Sequence, residues 1–402
     1  MSDQQTNSQP PPLSSALPRV VIIGAGYAGS HAAVAASRSG KVEVVVIDHD
    51  GRHGFLARMA GVAAGRLRTS DARAPLRELV GADIEVVHGR VVRIDDEAGT
   101  VTLDDATLLH ADAVVVSAGS GSPAGSVAGS ERYAATLHTP DDALALRRRL
   151  ARTDRLVIVG AGATGVQLAA EVGAARPGIE VRLVEIAGRL LPAEPRRLGD
   201  DVMSALLEVG VHLHLSTEVA RVDRRGVVLG DGRRFDGTVV WAGGWRADAT
   251  ELLPTAPTQD GRAIVTSDLR VSGLRRVLAA GDIAAHRDII GRLLPMSAQI
   301  ASQAGATAGH NAAALATGQP TRPARLVELG RIIDLGDRGV GRVGPIPIGW
   351  GPTSRLVPLL HLGVDLRHLW QLGGVAVALA HVPSRGGAQA TPPARTPLHA
   401  VS

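Results

Sequence analysis

Two glycine-rich turns of one pattern, 136 residues apart, constrain this chain more than any other feature. The first follows the apolar run Val20–Ile23 and reads Gly24-Ala25-Gly26-Tyr27-Ala28-Gly29. The second follows Leu156–Val159 and reads Gly160-Ala161-Gly162-Ala163-Thr164-Gly165. Each runs on into an alanine-rich helical stretch and a second apolar strand. That strand ends in an acid, Asp48 or Glu185, 19 and 20 residues past the third glycine. In such a unit the first glycine permits the tight turn, the second lets backbone approach a pyrophosphate, and the third lets the helix pack close. The phosphates face free N–H groups at a helix N-terminus. The acid can accept hydrogen bonds from a ribose 2′-hydroxyl. A lone GxGxxG is weak evidence, because glycine turns are common. Two, each with its strand, helix and distal acid, predict two dinucleotides in one chain, placed to exchange a hydride between a flavin and a nicotinamide.

Composition narrows the chemistry. The chain has 402 residues and no cysteine, which excludes a redox disulfide, an iron–sulfur cluster and a thiolate metal site. Redox work must then sit on a bound cofactor. The pI of 10.4 is high, yet the formal net charge is only +4. Lys41 is the sole lysine, so arginine accounts for nearly all of the positive charge. Aromatic residues make up 2%, too few for base-stacking platforms, and no nucleic-acid partner is expected. No H-E-x-x-H pattern or Gly-x-Ser-x-Gly elbow occurs, so neither a metal centre nor a serine hydrolase is expected. Tyr27 reads as a packing residue of the turn. His212 and His214 alternate on one strand and read as solvent-facing.

Further runs repeat in order. Short alternating segments at 84–87, 91–94 and 101–103 lead to Ala113–Val116 and a glycine turn at Gly119. After the second fingerprint, a helix at 200–209 and strands at 211–215, 219–222 and 227–229 lead to Val239-Val240-Trp241-Ala242-Gly243-Gly244. The halves read as a long-range duplication. A third strand-to-glycine element, Val277–Ile283, precedes a small-residue helix, Ser297–Leu315. Strands are expected near 326–334 and 339–343. Residues 1–18 and 383–402 read as disordered polar tails.

This arrangement resembles the two-dinucleotide-binding-domain flavoproteins over roughly residues 19–345. It is closest to type II NADH dehydrogenases and relatives of apoptosis-inducing factor. The resemblance implies an α/β fold of glutathione-reductase-like architecture: two Rossmann-like domains and a small C-terminal α+β domain. FAD would occupy a domain made of 19–125 and 255–320, NAD(P)H one made of 126–254, and 321–382 would form a C-terminal interface domain. The FAD residues implied are Gly24, Gly26, Tyr27, Ala28, Gly29, Asp48, Val91, Gly119, Gly281, Asp282, Ala298 and Gln299. Asp282 matches the family carboxylate that bonds the ribityl chain. The NAD residues implied are Gly160, Gly162, Ala163, Thr164, Gly165, Glu185 and Gly243. The segment Ala298-Gln299-Ile300-Ala301-Ser302-Gln303 fits the AQxAxQ signature of type II dehydrogenases, whose helix start faces the flavin and the quinone pocket.

Departures from the family fall at the acceptor side. The second fingerprint continues Gly165-Val166-Gln167 where the family usually has Gly-Val-Glu. Glutamine cannot titrate, so the quinone's proton supply must differ. Glu171 keeps the family's next acid. Phe55-Leu56-Ala57-Arg58 lacks the family's Pro-Leu-Leu, and no lysine is available for the acceptor site. Gln299, Gln303 and Gln167 are the residues expected at that pocket.

Residues 354–374 form an apolar helical pattern. A wheel puts Leu356, Leu359, Leu360, Leu366, Leu369 and Trp370 on one face, with His361, Asp365, Arg367, His368 and Gln371 opposite or flanking. An interfacial helix giving weak, reversible membrane association and a helix packed on the flavin domain or a homodimer interface are both open readings. An interfacial helix would be removable without loss of FAD.

The expected function is FAD-dependent NADH dehydrogenation with electrons passed to a quinone-like acceptor. The setting would be the cytoplasm, peripheral on the inner face of the membrane. A soluble NAD(P)H:acceptor reductase and a slow flavin redox sensor are the alternatives.

Overall fold

The structure, a computed structural model, describes residues 17–121, 127–349 and 351–383. Nearly all of both expected tails lies outside that range. Along the chain, β1 (Arg19–Ile23) turns through glycine into α1 (Tyr27–Ser37), followed by β2 (Glu43–Asp48), β3 (Ile84–His88) and β4 (Ala113–Val116). The second half runs β5 (Arg155–Val159), α2 (Ala163–Ala175), β6 (Glu180–Val184), β7 (His212–His214) and β8 (Thr238–Trp241). Then come β9 (Val277–Ala279), α3 (Ala298–Ala316), β10 (Gly330–Asp334), β11 (Gly339–Val343), β12 (Ile346–Ile348) and α4 (Val357–Ala380).

The first sheet has the order β9-β4-β1-β2-β3, all parallel. The second has the order β8-β5-β6-β7, also parallel. Each half thus places its glycine-bearing strand between its last strand and its second, so the duplication holds at the level of topology. Strands covered on both faces read as unbroken β-branched runs, which explains Val20–Ile23, Val44–Ile47 and Leu156–Val159. Val21 pairs with both Val45 and Val114, and Ile158 with both Leu183 and Val240. Between the third and last strand of each half lies an antiparallel meander, at 91–110 and 219–236. The third meander strands, Leu108–His110 and Arg234–Asp236, are three residues each, too short to show in the sequence pattern. The second-half helix at Arg196–Glu208 starts before the expected position 200.

Two contacts bring the site together. Helix α3 crosses α1 so closely that a Cβ at Gly305 or Gly309 would overlap the carbonyl of Ala28 or Ala32. The start of α3 is thereby held beside the first glycine turn. The C-terminal segment packs on both sheets. Ile333, Leu335 and Val340 enter the second sheet's core, and Leu369, Leu372 and Ala378 enter the first's.

Helix α4 corrects the wheel. Leu369 is buried, but Leu356, Leu359, Leu360 and Trp370 are exposed, at 61, 58, 46 and 55%. His368, assigned to the polar side, is buried at 7%. The inward face carries polar groups that find partners: Asp365 accepts from Arg58 at 2.9 Å, and His361 meets Asp334 at 2.6 Å. A wheel ranks side chains by transfer energy alone and is blind to such pairing. His214 also departs from expectation: its ring stacks on Phe235 at 4.4 Å.

Candidate functional site

The two glycine turns are built alike. Gly24 and Gly160 have φ of +95° and +103°, a region that disfavours any side chain. A Cβ at Gly24 would strike the Ser117 carbonyl, and one at Gly160 would lie 2.8 Å from Gly243. A Cβ at Gly29 or Gly165 would overlap the carbonyl of Gly24 or Gly160, so the third glycine sets the approach of helix to strand. Gly26 and Gly162 differ: nothing lies within 4 Å of where their Cβ would be. Both are helix N-caps without a side-chain cap, so the first-turn N–H groups of α1 and α2 face open space. Tyr27 and Ala28 occupy the first turn of α1, and Ala163 and Thr164 that of α2. Each cradle has the shape and donors a pyrophosphate needs.

The two acids also act alike. Asp48 accepts from Ala25 N–H at 2.8 Å and from Asp50 and Gly51 N–H at 3.1 Å. Glu185 accepts from Ala161 N–H at 2.6 Å and Ala187 N–H at 2.8 Å. Each carboxylate is fixed at the tip of its strand beside the turn. Asp48, His49 and Asp50 bring ligand atoms within 4.8 Å of one another, but both Asp48 oxygens already accept from backbone.

Asp282 stands at the end of β9. It accepts from Ser120 Oγ at 2.7 Å, beside the open turn of Gly119, whose φ is +77°. Burial raises its carboxyl above the usual range, against the Ser120 bond. Gly281 N–H donates to His286 Nε2 at 3.1 Å, which puts the ring proton of His286 on Nδ1. Burial holds this histidine down near 4. His138 stacks on Trp245 at 4.3 Å. His286, His138 and Trp245 went unremarked in the sequence because no spacing rule marks them.

At the start of α3, Ser297 caps the helix and Ala298 opens it. Gln299 donates to Gly330 O at 2.6 Å and accepts from Leu329 N–H at 2.9 Å. Gln303 makes the same pair of bonds with Val327. Both carboxamides therefore hold the segment leading into β10. Gln167 is half-buried on α2, and Val91 is buried at the start of the first meander. Gly243 is half-buried against Gly160. One turn beyond Gln167, Glu171 is 8% exposed, and burial pushes its carboxyl up to about 7 against the pull of Arg66. The sequence reading gave no role to Arg58, His31 or His53 and set His368 on the polar face, yet all four side chains are buried. Their partners are up to 337 residues away, and local pattern carries no trace of them.

The comparisons agree with this geometry. Residues 18–305 match the family model described as pyridine nucleotide-disulphide oxidoreductase. A Mycobacterium tuberculosis NADH dehydrogenase-like protein is 30% identical over 351 residues, covering 80% of this chain and 86% of that one. The type II NADH:quinone oxidoreductase of Staphylococcus saprophyticus is 26% identical over 395 residues, covering 90% and 97%. The fold also matches NDH2 of Plasmodium falciparum in complex with NADH, with TM-score 0.77 at 14% identity over 91% of this chain and 97% of that one. A ferredoxin reductase from Rhodopseudomonas palustris gives 0.72 at 23% identity, over 81% and 82%. Having no cysteine, the chain lacks the disulphide in the family's name. With two parallel sheets, two glycine cradles and a matched span of this length, the chain belongs to the pyridine nucleotide-disulphide oxidoreductase family.

Proposed function

We propose that this protein is an FAD-dependent NADH dehydrogenase that passes electrons to a quinone. The observation that carries the reading is the pair of equivalent cradles, each open over its second glycine and each with a fixed carboxylate at the neighbouring strand end. FAD is assigned to 19–125 with 255–320, and NADH to 126–254. Bound FAD supplies a two-electron acceptor for the nicotinamide hydride and a donor to quinone.

The chain's residues supply position and charge. The first-turn N–H groups of α1 and α2 neutralise the two pyrophosphates. Asp48 and Glu185 meet the ribose hydroxyls, and the fixed negative charge of Glu185 disfavours a 2′-phosphate, so NADH is the preferred donor. Asp282 anchors the ribityl chain, with Ser120 aligning its carboxylate. The N-terminus of α3 would lie toward the flavin ring, where its partial positive charge would favour negative charge on that group. Gln299 and Gln303 shape the acceptor side by holding residues 327–330. Gln167 cannot deliver a proton there.

Among the described residues no helix is long and apolar enough to cross a membrane. Peripheral association is part of the proposal. Its support is an exposed apolar stripe made of Leu356, just before α4, and of Leu359, Leu360, Val364 and Trp370 on it.

The test is anaerobic. The yellow protein is reduced with NADH, then mixed with a soluble quinone, and flavin reoxidation is followed. Fast reoxidation is expected. A reduced protein that persists in the presence of quinone, yet reoxidises with another acceptor, would overturn the quinone assignment.

A further inference from the structure

Three buried imidazoles form a continuous chain between α4 and the first glycine turn. His31 Nε2 lies 3.0 Å from His368 Nδ1, and His368 Nε2 lies 3.1 Å from His53 Nε2. His53 Nδ1 lies 3.0 Å from the carbonyl oxygen of Ala25, inside the fingerprint, and 3.2 Å from Ser30 Oγ. The three residues are 7, 7 and 0% exposed, in the order His31, His368, His53. Tyr27 packs its ring on His368 at 4.5 Å and on His53 at 4.9 Å.

The carbonyl at one end fixes every proton. A carbonyl only accepts, so His53 Nδ1 carries a hydrogen and donates to it. His53 Nε2 is then a bare acceptor, and His368 Nε2–H donates to it. His368 Nδ1 is bare in turn and accepts from His31 Nε2–H. All three rings are neutral, and all three bonds point toward Ala25. A proton added to His53 or His368 would set two N–H groups face to face until the bonds on its His31 side reversed, so protonation breaks the ordered tie, while the bond from His53 to the carbonyl keeps its direction.

The surroundings keep the rings neutral. Burial lowers His31 and His53 to about 4 and His368 further. The charged groups that face the chain are Arg38 just past the end of α1, Arg58 from the stretch after His53, and Asp365 on α4. Arg58 and Asp365 pair with each other at 2.9 Å, and Arg38 donates to the Gln371 carbonyl at 2.9 Å. The Tyr27 hydroxyl is held well above its usual value by burial and stays neutral.

The same alanine is fixed from its other side, since Ala25 N–H donates to Asp48 at 2.8 Å and Ser30 Oγ donates to the Ala25 carbonyl at 2.9 Å. The peptide between the first two glycines is thus oriented from the C-terminal helix. We propose that His368 is a positioning residue for FAD: through His53 it holds the Ala25 carbonyl and so keeps the pyrophosphate turn in its binding shape. This rests on the assignment of FAD to the Gly24–Gly29 turn. It gives α4 a role in cofactor retention that the membrane reading does not include.

The test uses FAD-loaded protein and reads FAD release by flavin fluorescence on dilution, at about pH 7.5 and about pH 5.5. His368→Phe keeps a flat ring against Tyr27 but makes neither bond. It should release FAD about tenfold faster at the higher pH, with little further acceleration in acid. His368→Gln can donate on one side and accept on the other, so its release at the higher pH should stay within about twofold of wild type. Wild type should accelerate between the two pH values, because the histidines regain their ordinary value of 6.5 once the tie opens and protonation then holds it open. A wild-type rate that is flat with pH overturns the proposal without any variant, as does a glutamine variant no slower than the phenylalanine one. Amide exchange in residues 24–30 and 365–372 reads the same tie without flavin. Loss of protection in only one segment of His368→Phe overturns the tie even where FAD binds. Coupled protection in a chain that takes up no FAD overturns the FAD assignment and leaves the tie standing.

Discussion

The carboxamide of Gln303 meets the backbone of Val327 on both sides: Nε2 donates to the carbonyl at 2.9 Å, and Oε1 accepts from the N–H at 3.0 Å. Gln299, one turn earlier on α3, bonds Leu329 and Gly330 in the same way. Two glutamines thus stand in for a pairing strand along residues 327–330. Replacing either with alanine removes its two bonds to residues 327–330, and for Gln303 also the bond from Nε2 to the Gln299 carbonyl, leaving backbone groups to find water, a loss of about 1–3 kcal/mol. The expected outcome for Gln303→Ala is slower flavin reoxidation by quinone, with NADH-driven flavin reduction within about twofold of wild type. Stopped-flow measurement of the two half-reactions checks this. An equal loss in both would place the glutamines outside the acceptor side.

That pair shows where sequence reading stops. The AQxAxQ segment was legible, because it fits a signature of the family the chain resembles and stands shortly after Gly281-Asp282. What the glutamines hold was not legible, since residue 327 is 24 positions away and has no pattern of its own. The glycine turns were legible in detail, because the first and third glycines answer a local steric demand that only glycine meets and the second leaves the cradle open. Helix α4 was legible as a helix and misread as a wheel. Its buried face depends on Arg58, His31 and His53, all more than 300 positions earlier. Local periodicity reports apolar burial. It does not report polar groups buried with partners.

Glu185 sets the nucleotide prediction. Its oxygens accept from Ala161 and Ala187 N–H, so the carboxylate is held in place beside the turn. NADH should give the higher kcat/KM. Glu185→Gln keeps the shape but removes the charge, and should narrow the NADH:NADPH ratio by about tenfold, the worth of one charge-assisted contact. A wild-type preference for NADPH would refute the role given to Glu185.

Glu171 gives a pH prediction with a definite sign. Its carboxyl is raised from the ordinary 4.5 to about 7 by burial, so the folded protein holds this proton more tightly than the unfolded chain. The group's contribution to stability is complete below pH 4.5 and is lost as pH rises through about 7. Glu171→Gln keeps a neutral side chain at all pH. Its urea midpoint should therefore fall less than that of wild type between about pH 5 and 8. Parallel midpoint curves for the two proteins would show that Glu171 ionises as an ordinary surface acid. Gln167→Glu adds an acid one turn away, and should shift the pH dependence of quinone reduction while leaving flavin reduction by NADH largely intact.

The outer face of α4 carries the last prediction. Deleting residues 350–402 is expected to loosen FAD, because Leu369, Leu372 and Ala378 belong to the first sheet's core and Arg58 would lose Asp365. Truncation therefore cannot isolate membrane binding, and surface substitution is the sharper tool. Leu359, Leu360 and Trp370 are about half exposed and point away from that core. Changing all three to glutamine removes roughly 1 kcal/mol of interfacial burial each, so vesicle partitioning should fall about a hundredfold. FAD content and NADH-driven flavin reduction should stay at wild-type levels, since none of the three touches the histidine chain. The stripe lacks a polybasic flank, so binding should depend little on anionic lipid. Co-sedimentation with neutral and anionic vesicles measures both effects. Unchanged sedimentation of the triple variant would refute peripheral docking through α4. A change from dimer to monomer without any change in vesicle binding would instead assign the stripe to contact between two copies of the chain.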